Sequence, residues 1–388
     1  MMVSQALERI EPSRTMAMTD RAAALRAEGR DIISLSVGEP DFATPPHVIA
    51  AAKAALDAGE TKYTPVGGTV AMKNAALLHF ARDLGIHTSR DRIIVSSGGK
   101  QCIFNALAAT LGSGDEVIIP APWWVSYPQI VHYCGARTVP LHTEAKDNFR
   151  FSAQNLEAMI TPATRWLLLN SPGNPTGAIY PAEMLMDIAE VLRRHRHVMV
   201  MSDDIYAPLN YTGQPHASLA QLCPDLEDRV LTVSGVSKSH AMTGFRIGLA
   251  TGPVELIRAM ERLQSHVSGN PCSVSQAAAC AALEGTQDFL TGWREIFRAR
   301  RDMVVAAINE SAGLSTPVPD GAFYCFVDAQ PLMARFGDDE ALAMHLLDHG
   351  VAIVAASAFG GKDGFRISFA LGEETLKEAM SRIQKAVA

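Results

Sequence analysis

The segment Leu231-Thr232-Val233-Ser234-Gly235-Val236-Ser237-Lys238-Ser239-His240-Ala241-Met242-Thr243-Gly244-Phe245-Arg246-Ile247-Gly248 opens on an apolar, β-branched run at 230–233 and halts at two small residues. Lys238 follows at once, Arg246 and Gly248 come later, and a second short apolar run stands at 249–251. In an open α/β sheet, ligands sit outside the carboxyl ends of the strands. A lysine hemmed in there by Ser, Gly and apolar neighbours is poorly hydrated, which disfavours its charged form. The neutral amine is a nucleophile able to form a Schiff base. A lysine in a surface loop is the competing reading, so the chemistry of the other strand ends weighs in the choice.

The same layout repeats upstream. Residues 92–97 read as a strand, Gly98-Gly99 as a turn and 100–111 as a helix. A strand at 117–120 runs into Trp123-Trp124, and one at 166–170 into a Pro/Gly turn and a helix at 181–195. A strand at 197–202 ends on Asp203-Asp204. These runs are continuously apolar rather than alternating, as strands covered on both faces should be. Strands alternating with helices predict an α/β fold with a mainly parallel sheet, 249–251 returning antiparallel or extended.

The flanks differ. A helix at 21–30 closed by Gly29, a short strand at 31–37, helices at 47–58 and 70–84, and a loop at 62–68 come first. At the other end, an Ala-rich helix covers 277–283 and helix covers 288–309. They precede a strand pair, 322–328 and 351–355, and then 364–369. The expected organisation is a large domain at 45–290 and a smaller α+β domain made of 1–44 plus 291–388.

With 388 residues the chain exceeds the size at which one core stops growing, which agrees with two domains. A net charge of −7 implies no basic face and argues against nucleic acid as a partner. Six scattered cysteines without a C-x-x-C pair fit reduced thiols in a cytoplasmic protein better than disulfides or a zinc site. Glu8, Arg9 and Glu11 leave no room for a signal peptide, and no apolar run reaches membrane-spanning length.

Three strand ends carry the chemistry. The turn N-S-P-G-N-P-T-G at 170–177 is stiffened by its prolines, so the Asn174 amide can be aimed; it also reads simply as a turn. Asp203 ends a buried strand with Tyr206 three residues on, although an Asp there can equally cap a helix. Lys238 is the third. An amide, a carboxylate, a phenol and a desolvated lysine at one sheet edge suit pyridoxal phosphate. That cofactor needs a lysine for its aldehyde, an acid for its ring nitrogen and donors for its phenolate oxygen. Its phosphate needs backbone N–H groups at a helix start, which Gly98, Gly99 and Lys100 would supply. Ser234, Ser237 and Arg246 could add contacts. Trp124 could stack on the ring or pack in the core. Arg366, inside an apolar strand, needs an anion. Its fork matches a carboxylate, whether of a substrate or of a structural ion pair.

The motifs GEPDF (38–42), KYTP (62–65), SGGKQ (97–101), PWWVSY (122–127), NSPGNPTG (170–177), SDDIY (202–206), SKSHAMTGFRIG (237–248) and FRISF (365–369) occur in this order. Together they resemble the class I aminotransferases of pyridoxal-phosphate fold type I, in the branch of the aspartate and aromatic enzymes. The resemblance implies a seven-stranded, mainly parallel sheet and transfer of an amino group from an L-amino acid to a 2-oxo acid. It implies that Lys238 carries the cofactor and shuttles a proton, that Asp203 pairs with the ring nitrogen, and that Asn174 and Tyr206 bind the ring oxygen. Trp124 would stack on the ring, and Gly98, Gly99, Lys100, Ser237 and Arg246 would cradle the phosphate. Arg366 would hold the substrate carboxylate with help from the Gly38 backbone. Tyr63 resembles a tyrosine that reaches the phosphate of a neighbouring subunit, which implies a homodimer with shared active sites.

One departure bears on specificity. The stretch Gln264-Ser265-His266 holds no arginine, although enteric-type aspartate enzymes carry one near there for the distal carboxylate, which leaves acidic, aromatic and broad preferences open. The same fold also hosts β-eliminating lyases and decarboxylases. A pyridoxal-phosphate-sensing regulator would need a DNA-binding module, and no basic N-terminal segment is present.

Overall fold

The computed structural model describes residues 3–388. Its strands are β1 (Ile33–Ser34), β2 (Ile93–Ser96), β3 (Glu116–Ala121), β4 (Arg137–His142), β5 (Thr164–Asn170) and β6 (Met199–Asp203). Then follow β7 (Val230–Gly235), β8 (Gly248–Thr251), β9 (Tyr324–Asp328), β10 (Val351–Ala352), β11 (Val354–Ala355) and β12 (Gly364–Ser368). A seven-stranded sheet runs β2-β8-β7-β6-β5-β3-β4, and every pairing is parallel except the two made by β8.

Side chains alternate across each strand, which explains why the runs are apolar throughout. Trp166 and Leu168 of β5 join one core with Ile119, Met201 and Leu231. Leu167 and Leu169 join the opposite core with Val200 and the helix Ala182–Arg194. The register sets Asn170 beside Asp203, and Asp203 beside Val233, so the carboxyl ends of three neighbouring strands finish level. Residues 170–174, 203–206 and 235–238 therefore leave the sheet side by side.

A second body of structure packs over that edge. Its core joins Leu35, Phe297, Phe323, Phe365, Phe369 and Leu376. A fully buried phenylalanine contributes about 1.5–3 kcal/mol. The segment 351–355 is not one strand partnered with 322–328. It splits into β10, which pairs with β1, and β11, which pairs with β12; β12 lies between β11 and β9. The first long helix also begins earlier than its apolar pattern suggests, at Arg14–Ala27, because the Ser13 side chain accepts from Met16 N. Helix Val70–Leu84 has the expected bounds, whereas β4 and the helices Val254–Val267, Asp339–Asp348 and Glu373–Val387 lie outside the sequence-based expectations. Helix Phe289–Asn309 packs on the segment 36–42: Trp293 stacks on Phe42 at 4.3 Å, and Arg300 pairs with Asp41 through two hydrogen bonds of 2.7 and 2.9 Å. No described helix is long and apolar enough to cross a membrane.

Candidate active site

A cleft of about 470 Å³ opens at the level strand ends. Gly38, Gly99, Lys100, Trp124, Asn174, Asp203, Tyr206, Ser237, Lys238, Arg246 and Arg366 all line it. Gly98 stands one residue behind. Tyr63 does not reach this cleft: its side chain points to solvent, 96% exposed. Ser234 faces away from it, its hydroxyl paired with His79 Nε2 at 2.8 Å while His79 Nδ1 meets Asp83 at 2.7 Å. A strand residue belongs to one face only, and Ser234 belongs to the back.

The lysine loop leaves β7 and brings Lys238 Nζ to 2.6 Å from the Gly38 carbonyl, which accepts its proton. Burial pulls the Lys238 pKa down to about 8, against the charge of Glu39; Arg246 and Arg366 push the same way as burial. Such an amine is partly neutral close to physiological pH. Asp203 is buried at the end of β6, and burial raises its pKa to about 6 even though Tyr127 donates to Oδ2 at 2.6 Å. Its other oxygen accepts from Ile205 N at 3.3 Å. Asp203 has no cationic partner within bonding distance among the described residues.

At the helix Gly99–Thr110 the N-cap is Gly98, with φ 94° and no side-chain cap. A methyl there would be strained and would overlap the Arg246 guanidinium. A methyl on Gly248 would overlap the Gly98–Gly99 backbone, so this turn is held tightly against β8. The N–H groups of Gly99 and Lys100 find no backbone acceptor, which leaves a helix start ready for an anion. Arg246 approaches from the side, its Nη1 donating to Thr243 O at 2.9 Å.

Arg366 is 3% exposed, yet no carboxylate lies near it among the described residues. Its guanidinium lies 4.6 Å from the Tyr324 ring centroid and 4.8 Å from that of Phe359. Nη2 donates to Ser36 O, Nη1 to Asn174 Oδ1 at 3.1 Å, and Nε has no partner. A buried, unpaired cation of this kind is costly and suits an incoming carboxylate. Arginine has only donors, so the Asn174 oxygen must face it, and the Asn174 amide nitrogen is left to donate elsewhere. Lys100 Nζ sits 5.0 Å from the Trp124 ring centroid, its pKa lowered by burial, and it forms no ion pair among the described residues.

Two participants escaped the sequence reading. Tyr127, which binds Asp203, stands three residues after Trp124, a spacing that puts both on one face of a helical turn and could have revealed it. Tyr324, whose hydroxyl is 2.9 Å from that of Tyr206, comes from a distant strand and left no local signal. Gln264 is fully buried and braces Ser96, Asn105, Val66 and Val95 by hydrogen bonds.

An unsatisfied helix start, a desolvated lysine, an unpaired buried carboxylate and a donor amide form the set that pyridoxal phosphate requires, and the residues present fit it. This defines a pyridoxal-phosphate enzyme of the fold type I class. Comparison with known proteins gives the family: the profile described as aminotransferase class I and II matches residues 30–383, and the chain belongs to that family. It is 48% identical over 390 residues, covering 98% of both chains, to an aspartate/prephenate aminotransferase of Cereibacter sphaeroides. It is also 48% identical over 374 residues, 94% of this chain and 91% of the relative, to an aspartate aminotransferase of Rhizobium meliloti. The solved aspartate aminotransferase of Rhizobium meliloti superposes with a TM-score of 0.95 at 46% identity, covering 100% of this chain and 99% of that one. That of Thermus thermophilus with maleate gives 0.95 at 38% identity, with 100% of each chain covered. The protein is a pyridoxal-phosphate-dependent aminotransferase that acts on amino acid and 2-oxo acid substrates.

Proposed function

We propose that the cleft is the transamination site and that its preferred amino donor is L-aspartate or a similar dicarboxylic amino acid. The observation that carries this reading is that Arg366 and Lys100 line one cleft with Lys238 and neither forms an ion pair among the described residues. Arg366 would take the α-carboxylate. Lys100, on another element, would offset the charge of a distal carboxylate, a role for which no arginine stands in the stretch 264–266. The aspartate and prephenate in the relatives' names, and the maleate bound to the Thermus enzyme, support a site for two carboxylates.

In this reading Gly98, Gly99, Lys100 N, Ser237 and Arg246 hold the cofactor phosphate and Asp203 its ring nitrogen. Asn174 and Tyr206 hold its ring oxygen, and Trp124 covers its face. Bound there, pyridoxal phosphate supplies an electron sink for the pair released when the substrate Cα–H bond breaks. Lys238 Nζ, neutral above about pH 8, is the base that would take the Cα proton and then deliver it to the cofactor carbon that bore the aldehyde. Arg366, helped by the Gly38 backbone, would orient the substrate so that this proton faces Lys238. Tyr127 donates to Asp203 and keeps its carboxylate turned toward the ring.

The division into a large domain at 45–290 and a small one at 1–44 plus 291–388 is part of the proposal, with the segment 36–42 moving as substrate binds. So is a homodimer in which the exposed Tyr63 reaches the phosphate site of a second copy. The six free cysteines support a cytoplasmic setting.

The test is a panel of amino donors with 2-oxoglutarate as acceptor. L-aspartate should exceed L-phenylalanine in kcat/KM by about tenfold or more, the effect of one partly screened charge contact, and a new amino acid should appear without ammonia. Equal rates for the two donors would remove Lys100 from the scheme, and release of pyruvate and ammonia would point to lyase chemistry.

A further inference from the structure

The hydroxyls of Tyr206 and Tyr324 lie 2.9 Å apart, and each side chain is at most 4% exposed. Tyr324 Oη has no other hydrogen-bond partner among the described residues. Each phenol has a single proton, so the direction of this bond decides what Tyr206 can do. If Tyr206 donates to Tyr324, its proton is used up against a neighbour. If Tyr324 donates, the Tyr206 proton is free to point into the cleft.

The surroundings favour the second direction. Arg366 lies 4.6 Å from the Tyr324 ring centroid, and a cation on a phenol's face strengthens it as a donor and weakens it as an acceptor. The rings meet edge to face at 5.8 Å, which fixes both side chains. Gly38 closes the far side, where a methyl would overlap the Tyr324 hydroxyl, so the backbone of the segment 36–38 lies directly on it.

We propose that Tyr324 is a positioning residue that donates to Tyr206 Oη, so that Tyr206 turns its proton toward the cofactor's ring oxygen. The same ring is the platform for Arg366, which couples the ring-oxygen contact to the carboxylate site. The proposal rests on the cofactor placement given above. The ionisable groups facing the pair are Asp203 from β6, Lys238 from the loop after β7 and Arg366 from β12, with Tyr127, Glu39 and Arg246 behind them.

The test uses the holoenzyme and reads the pH midpoint of its visible absorption band. Loss of a donor to the ring oxygen makes that oxygen more basic and raises the midpoint. Tyr206→Phe should raise it strongly. Tyr324→Phe keeps the packing and the platform, and should raise it in the same direction by about half a pH unit, the loss of one cooperative hydrogen bond. Tyr324→Phe should leave KM for aspartate unchanged, whereas Tyr324→Leu, which also removes the platform, should raise KM about fivefold. A midpoint unchanged or lowered in Tyr324→Phe overturns the proposal, the lowered case meaning that Tyr324 had been competing for the Tyr206 proton. An equal rise of KM in both Tyr324 variants overturns it too, by placing the hydroxyl in substrate binding. A midpoint unmoved by Tyr206→Phe would instead bring down the cofactor placement on which it rests.

Discussion

Arg300 and Arg366 are both buried arginines that grip the segment 36–42, yet their surroundings are opposite. Arg300 closes a two-bond pair with Asp41 and sits against the rings of Phe42 and Phe297. Arg366 holds only the Ser36 carbonyl and the Asn174 amide oxygen, with no carboxylate among the described residues and a free Nε. The first charge is neutralised by the fold. The second is left for something that arrives from outside, and it lies on the same cleft as the desolvated Lys238. The difference separates a structural cation from a binding one without reference to any ligand.

Substitutions should split along that line. Arg366→Leu should raise KM for amino acids by about a hundredfold, the cost of stranding a carboxylate without its fork, while thermal stability is kept or improved because an unpaired buried charge is removed. If Arg366→Leu instead unfolds the protein with KM little changed, the contrast fails. Arg300→Leu should do the reverse. It strands Asp41 and should lower unfolding free energy by about 3 kcal/mol, measured by denaturant titration, with a smaller effect on KM.

Lys238 sharpens the contrast through pH. Its pKa is depressed by burial to about 8, and only the neutral amine attacks an aldehyde. Reconstitution of the cofactor-free protein should therefore speed up about tenfold per pH unit from pH 6 and level off above about pH 8. A rate still climbing at pH 10 would mean an ordinary, hydrated lysine. The smallest expected effect belongs to Lys100. Lys100→Met should lower kcat/KM for aspartate about fivefold relative to phenylalanine, and added salt should shrink the gap. An equal loss for both donors would make Lys100 part of the scaffold.

Much of this was legible because buried parallel strands advertise themselves as short apolar runs, and their ends expose the polar residues that follow. Asn170 and Asp203 ended strands as expected, and β7 ran two residues past its expected end, to Gly235. β4 was hidden because it lies at the sheet edge, alternates in exposure and contains Pro140, which an edge strand tolerates. Ser234, offered as a possible added phosphate contact, turns to the back face, because a strand buried on both faces gives no clue to which side a given residue takes. The insertion of β8 between β2 and β7 is a matter of chain path, which local patterns do not encode. Tyr324 and the bracing of Gln264 are tertiary facts of the same kind. Lys238, Asp203 and Arg366 stood out because a charged residue in apolar surroundings is anomalous in sequence as well as in structure.

The most direct test of the account is chemical trapping of the lysine. Borohydride reduction of the holoenzyme, followed by proteolysis and mass spectrometry, should place a single phosphopyridoxyl group on the peptide that carries Lys238. A group found on Lys100 or any other lysine, or no group at all, would contradict it.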